Sequence, residues 1–175
     1  GPRVWSEQLP KPGLATHKYS RGHLLVVGGD EMLGATRLAA GAARRVGAGL
    51  VSIAAPSETR DMYLLGNPGN LFLDLPEAEF LSQILADGRK SCVLIGPGGG
   101  VSHRTRDCVI RALKSKRPVV LDADALTVFE NDSNTLFECI LESEISGSCI
   151  LTPHEGEFCR LFDLRGDKLS RCREA

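Results

Sequence analysis

The sequence lacks the features that mark membrane proteins, nucleic-acid-binding proteins and disulfide-linked secreted proteins. No apolar run approaches the ~20 residues that cross a bilayer. A formal net charge of −1 provides no basic surface for nucleic acid. No charged start is followed by the apolar segment of a signal peptide. These absences predict a cytoplasmic protein that binds neither nucleic acid nor membranes.

The six cysteines also lack a recognisable pattern. No Cys-x-x-Cys pair occurs, and no cysteine stands near a histidine at zinc-finger spacing. Cys92 and Cys149 open apolar runs, where a free thiol behaves as a small apolar side chain. We therefore expect all six cysteines to be reduced and structural.

What is present is an alternation of short apolar runs and helical patterns. We interpret residues 1–23, rich in proline, glycine and charge, as a linker and loop before a domain that spans residues 24–175. The domain opens with a buried strand at residues 24–27, a helix at residues 35–46 and a second strand at residues 50–54. The small side chains of Ala39, Gly41, Ala42 and Ala43 would let this helix lie close to a sheet.

Further strands are predicted at residues 71–75, 92–95, 118–121 and 149–151. This alternation predicts a doubly wound α/β fold with a mostly parallel sheet. Glycine-rich or polar segments follow the predicted strands, at residues 28–29, 96–100, 122–124 and 152–157. Because the carboxyl ends of parallel strands share one edge of a sheet, these segments predict a single ligand-binding crevice.

Two of these segments carry the strongest chemical signals. Residues 96–100 (Gly-Pro-Gly-Gly-Gly) precede a helix that Ser102 can cap, an arrangement suited to binding an anion through backbone amides; a flexible surface loop is the alternative. Asp122 and Asp124 would point to the same side of the edge if the strand geometry continued. We expect Asp124 to cap the next helix and Asp122 to contact a ligand or metal.

His154 and Glu157 lie three residues apart at a predicted helix start, so they share one face of that helix. A glutamate in the first turn also complements the helix dipole without any further role. The segment that contains Lys18 is either a solvated loop or a ligand contact, and the solvated loop is the stronger interpretation.

Seven short motifs occur along the chain in an order that is typical of one protein family. They are His17-Lys18 with Gly22, Val27-Gly28-Gly29, Gly34-Ala35, Gly47-Ala48-Gly49-Leu50-Val51, Gly96-Pro97-Gly98-x-Gly100, Leu121-Asp122-Ala123-Asp124-Ala125-Leu126 and Leu151-Thr152-Pro153-His154-x-Gly156-Glu157-Phe158. Their combination resembles the ADP/ATP-dependent NAD(P)H-hydrate dehydratase family, which has a ribokinase-like fold. The resemblance extends from about Trp5 to Leu161.

The resemblance implies a metabolite repair reaction. Members of this family phosphorylate the S epimer of hydrated NADH or NADPH with ATP or ADP and Mg²⁺, and loss of phosphate restores the dinucleotide. By this resemblance Ala35, the loop from Gly98 to Gly100 and His154 hold the hydrated dinucleotide. Asp122 and Glu157 lie near the phosphate or metal, and Glu157 organises Mg²⁺ through water. No protein ligand of a metal is assigned with certainty.

The chain departs from the family pattern in two places. Gly99 replaces a leucine, which loosens the glycine loop but leaves its amides in place. Family members continue past the equivalent of Ala175 through a Lys-Gly segment to a Gly-Thr-Gly-Asp motif with the catalytic aspartate, and these 175 residues contain neither. We therefore expect a partial ribokinase-like domain that, by itself, binds the dinucleotide weakly without converting it. We also expect a homo-oligomer, and the start of the chain is consistent with a fused epimerase domain.

Two other functions are compatible with the residues. One is a ribokinase-like kinase that acts on a hydroxyl of a small molecule such as a vitamin precursor, although Thr-Pro-His-x-Gly-Glu in place of Asn-x-x-Glu argues against it. The other is a non-catalytic nucleotide-binding or interaction module.

Overall fold

A single parallel sheet organises the structure, a computed structural model that describes residues 13–143 and 149–175. The first 12 residues of the predicted linker therefore lie outside the described residues. In chain order the described strands are β1 (His23–Val27), β2 (Leu50–Ala55), β3 (Leu71–Asp74), β4 (Cys92–Ile95), β5 (Val119–Leu121) and β6 (Cys149–Leu151). Their order across the sheet is β3-β2-β1-β4-β5-β6, and every neighbouring pair is parallel.

Helices connect the strands. Within the described residues they are α1 (Leu33–Val46), α2 (Arg60–Leu64), α3 (Glu79–Ala86), α4 (His103–Lys114), α5 (Asp124–Thr127), α6 (Ser133–Glu142), α7 (Glu155–Leu161) and α8 (Lys168–Glu174), with a short 3₁₀ helix (Ser57–Thr59) before α2. None of them combines the length and the apolarity needed to cross a membrane.

The sheet is covered on both faces, which confirms the doubly wound α/β prediction. Side chains alternate along β1: Leu25 and Val27 join a core with α3 to α7, whereas Val26 joins a second core with α1 and α2. Successive side chains of a strand point to opposite faces, so a strand buried on both faces is apolar throughout. This explains why continuous apolar runs identified the strands.

Helix α1 packs against the sheet through Thr36, Ala40 and Ala43, so only part of the predicted set of small residues lies on the buried face. Thr36 and Ala40 are buried, whereas Ala42 is exposed and Leu38 is 75% exposed. The prediction that Ala42 faces the sheet is therefore wrong. Alanine spacing alone could not decide the face, because alanine is common on both sides of this helix.

The environments of the six thiols, none of which is paired in the structure, predict their reactivity. Cys159 and Cys172 are exposed, whereas burial raises the pKa of both Cys108 and Cys149 to about 11. Because the thiolate is the reactive form, Cys159 and Cys172 should react with a thiol reagent first at neutral pH.

Titration of the denatured protein without reductant should count six thiols. A count of four or fewer would contradict the expectation that all are free.

Candidate functional site

The site is built at the point where the strand order reverses. From β1 the chain proceeds outward through β2 to β3, then returns to place β4 on the other side of β1. Loops that leave β1 and β4 therefore diverge at the carboxyl edge of the sheet, and ligands bind in the crevice between such loops. Here the two loops are residues 28–32 and residues 96–102, which we call the first and second glycine loops.

The two glycine loops touch each other directly. The amide of Gly29 donates to the carbonyl oxygen of Gly98 at 3.0 Å. A Cβ atom at Gly29 would stand 2.5 Å from that oxygen and 2.8 Å from the oxygen of Gly99, so this approach requires glycine. The predicted strand–turn–helix units thus place the two loops side by side.

Buried and half-buried side chains hold the carbonyl groups of both loops toward the protein interior. In the first loop, Tyr63 donates to the oxygen of Gly29 (2.7 Å) and Arg104 to that of Gly28 (3.2 Å). In the second loop, the oxygens of Pro97 and Gly99 accept from Thr36 (2.6 Å) and Thr105 (2.8 Å) respectively. The amides of Gly29 and Gly99 are bonded within the loops as well, to the oxygens of Gly98 and Gly96, so the predicted surface of open amides is wrong for these two residues.

The sequence analysis did not identify the side chains that bind the loop carbonyls. Thr36 offered one local signal, as a hydroxyl within an alanine-rich helix. Tyr63 and Arg104 offered none, because their partners are 34 and 76 residues away in the chain. Burial raises the pKa of the Tyr63 phenol above its ordinary value, so this hydroxyl stays protonated and available as a donor.

The structure corrects the prediction for Gly100. Its amide is not open to a ligand, since it donates to the carboxylate of Asp124 at 2.9 Å. Gly98 lies beside the first loop, where its oxygen accepts from the amide of Gly29, and its contact with the dinucleotide stays a prediction. Gly99, where the family pattern has leucine, has room for a side chain: a Cβ atom there would make only ordinary contacts, at 3.4 to 3.5 Å.

Asp122 and Asp124 do not point to the same side. Ala123 between them adopts φ +48° and ψ −118°, so the strand geometry ends at Asp122. Asp122 accepts from the Thr152 hydroxyl (2.9 Å) after β6, while Asp124 turns toward the second glycine loop. The prediction that Asp124 caps α5 is also wrong, because the N-cap position is Ala123 and the Asp124 carboxylate accepts from Gly100 in the second glycine loop.

His154 and Glu157 form a reciprocal cap at the start of α7. The His154 Nδ1 accepts from the amides of Gly156 and Glu157, and Glu157 Oε2 accepts from the amide of His154 at 2.8 Å. The Nε2 atom of His154 lies 3.3 Å from Glu157 Oε1. The Glu157 side chain is buried, whereas 67% of the His154 side chain is exposed at the carboxyl edge, so the imidazole can meet a ligand.

Ala35 completes the predicted set. It is half-buried in the first turn of α1, beside the first glycine loop, and its amide donates to the oxygen of Met32 at 3.1 Å. One edge of the sheet thus carries the four predicted residues that follow the adjacent strands β1, β4, β5 and β6, namely Ala35, Gly98, Asp122 and His154.

Lys18 lies at the opposite edge, where its backbone packs against Gly49 before β2, which excludes it from this site.

Two small cavities border the site, and a larger one lies elsewhere. One of about 340 Å³ adjoins Gly100 between Ser102 and Asp132, and one of about 310 Å³ adjoins His154. A groove of about 850 Å³ lies beside the edge strand β6, with Phe137, Leu151 and Phe162 in its wall. We assign the site to the glycine loops, because polar groups from several strands converge there.

A hydrated magnesium ion is the metal that the family resemblance implies for this edge of the sheet. Among the described residues, no three His, Cys, Asp or Glu side chains come together as a metal site. Mg²⁺ usually keeps several waters and is held by one or two carboxylates together with substrate phosphates. Asp122 accepts from Thr152, and the buried Glu157 accepts from the amide of His154, so a contact of either carboxylate with such an ion would run through water.

The sequence profile of the NAD(P)H-hydrate dehydratase family matches residues 24–175. The chain belongs to this family. It is 39% identical over 166 residues to a bifunctional NAD(P)H-hydrate repair enzyme, Nnr, of Coxiella burnetii. It is 28% identical to an ADP-dependent (S)-NAD(P)H-hydrate dehydratase of Listeria monocytogenes. The alignments cover 94% and 97% of this chain but only 32% and 59% of those two proteins.

Solved structures agree with the family assignment. The ADP/ATP-dependent NAD(P)H-hydrate dehydratase of Bacillus subtilis, co-crystallised with ATP and Mg²⁺, superposes with a TM-score of 0.70 at 27% identity, over 90% of this chain and 55% of that one. A ribokinase-like protein of Enterococcus faecalis superposes with a TM-score of 0.78 at 20% identity, over 94% and 57%. The dehydratase family and its ribokinase-like fold are thus the ones that the sequence motifs indicated.

Proposed function

We propose that the protein takes part in the nucleotide-dependent dehydration of S-NADH-hydrate and S-NADPH-hydrate. The observation that carries the proposal is the pair of glycine loops, which meet at the strand-order reversal and lie at the same edge of the sheet as His154. Membership of the dehydratase family supports the substrate. It does not favour a small-molecule kinase or a non-catalytic module.

In this proposal ATP or ADP transfers its terminal phosphoryl group to the hydroxyl that hydration added to the nicotinamide ring. The carbon–oxygen bond then breaks as phosphate leaves, and a proton is lost from the adjacent carbon as the double bond reforms. Phosphate is a far better leaving group than hydroxide. Phosphoryl transfer depends on positioning and charge neutralisation, and Mg²⁺ supplies the latter when bound.

The residues of this chain would bind and orient the substrate. Gly98 and the first turn of α1 at Ala35 form the wall of the crevice, and the exposed imidazole of His154 faces the dinucleotide from the β6 side. Glu157 is buried against the His154 cap and would reach an ion only through water. A cytoplasmic location, a homo-oligomer and a fused epimerase domain stay predictions, as does the lack of turnover by these 175 residues alone.

Recovery of NADPH absorbance tests the proposal. The protein in its full natural length is incubated with S-NADPH-hydrate, Mg²⁺ and either ATP or ADP, and the absorbance of reduced nicotinamide should return. Samples without nucleotide, or with the R epimer, are the controls and should stay flat. A folded protein that restores no NADPH with either nucleotide would contradict the proposed function.

A further inference from the structure

The two glycine loops are connected through a buried pair of hydroxyl groups. Thr36 on α1 donates to Pro97 in the second loop, and Tyr63 on α2 donates to Gly29 in the first. The two side-chain oxygens lie 3.4 Å apart, and both residues are fully buried. This pair therefore links a loop that follows β1 with a loop that follows β4.

Neither hydroxyl serves its own helix. The partner of Thr36 is 61 residues away in sequence and that of Tyr63 is 34 residues away. Burying a hydroxyl is unfavourable unless it forms a hydrogen bond, and an apolar side chain of the same shape would pack at either position without that cost. The Tyr63 ring also fits against Gly28, where a Cβ atom would stand 2.6 Å from its hydroxyl oxygen.

We infer that Thr36 and Tyr63 are positioning residues, which set the distance and orientation of the two glycine loops and so shape the crevice for the hydrated dinucleotide. Each hydroxyl holds one loop carbonyl toward the interior. The contact between the two hydroxyls fixes the position of the first glycine loop relative to the second. Arg104 assists from α4, since it spans the oxygens of Gly28 (3.2 Å) and Leu75 (3.0 Å). The ligand in this inference rests on the proposed function.

A matched pair of threonine substitutions tests the inference. Thr36→Val removes the hydroxyl and keeps the shape of the side chain. Thr59→Val is the control: Thr59 is also buried (4% exposed) and donates to a backbone oxygen, that of Pro56, at 2.7 Å, and this partner lies outside both glycine loops. Both variants lose a similar hydrogen bond, so a purely structural role predicts similar effects.

We expect Thr36→Val to raise KM for the hydrated dinucleotide roughly 10-fold, the effect of losing one buried hydrogen bond. Thr59→Val should leave KM within about twofold of the wild-type value. Thr36→Ser, which keeps the hydroxyl, should recover most of the loss, and Tyr63→Phe should resemble Thr36→Val. Equal KM values for Thr36→Val and Thr59→Val would overturn the inference.

Amide hydrogen exchange gives a readout that does not require turnover. Thr36→Val should accelerate exchange in residues 96–102, and Tyr63→Phe should do so in both glycine loops, whereas Thr59→Val should change neither. If the wild-type protein restores no NADPH, the proposed function fails and exchange alone decides the inference. Unchanged exchange in both loops of both variants would then overturn it.

Discussion

Replacing Gly96 with alanine is expected to destabilise the protein by more than about 3 kcal/mol. Gly96 has φ +123°, and a Cβ atom there would overlap the carbonyl oxygen of Asp122 and stand 2.7 Å from its carbon. Backbone atoms cannot rotate away as the end of a side chain can. The turn after β4 would have to separate from the turn after β5, which carries Asp122 and Asp124.

Urea denaturation of Gly96→Ala beside Gly99→Ala measures this effect. Gly99 lies in the same loop, but its φ is not in the left-handed region and a Cβ atom there makes ordinary contacts at 3.4 to 3.5 Å. We expect Gly99→Ala to change the free energy of unfolding by less than about 0.5 kcal/mol. Equal losses in the two variants would show that loop composition, rather than the contact with Asp122, determines stability.

Replacing His154 with asparagine is expected to lower kcat/KM about 10- to 100-fold while leaving the protein folded. His154 has two roles in the site as proposed. Its Nδ1 caps α7, and its exposed ring is proposed to contact the dinucleotide. Asparagine is among the best N-cap residues, so it preserves the first role and removes the second.

Comparison with His154→Ala separates the two roles. Alanine removes the cap as well, and should cost about 1 kcal/mol of stability that asparagine does not. Thermal denaturation reports the cap, and the NADPH-recovery assay reports the ligand contact. Wild-type kcat/KM in His154→Asn would mean that the histidine only caps the helix, and the site would then lose its contact from the β6 side.

The strands were the part of the fold most accessible from the sequence. The run at residues 92–95 was predicted with the bounds that β4 has in the structure. Buried parallel strands are apolar on both faces and end at glycine or polar turns, so each one is visible locally. The helix cap at Ser102 was equally local, since the cap residue and the amide of Thr105 that it binds are three positions apart.

The carboxylates show where local patterns fail. Asp122 and Asp124 were predicted to share a side because they are two residues apart, and Ala123 breaks that geometry. Alanine does not signal a positive φ in the way that glycine does. Only the packing of the β5 turn against Gly96 and the second glycine loop holds it there, and this packing sends Asp124 to the amide of Gly100.

The sequence alone determined the α/β class, the strands, the family and the edge of the sheet at which the candidate residues gather, because apolar runs, glycine turns and ordered motifs are encoded by neighbouring residues. The tertiary structure decided the strand order, the inward face of α1, the bonding of Gly100 to Asp124 and the Thr36–Tyr63 link. Each of these depends on groups that are distant in the chain and meet only when the sheet has formed. Side-chain contacts between such groups leave no periodicity for a sequence to display.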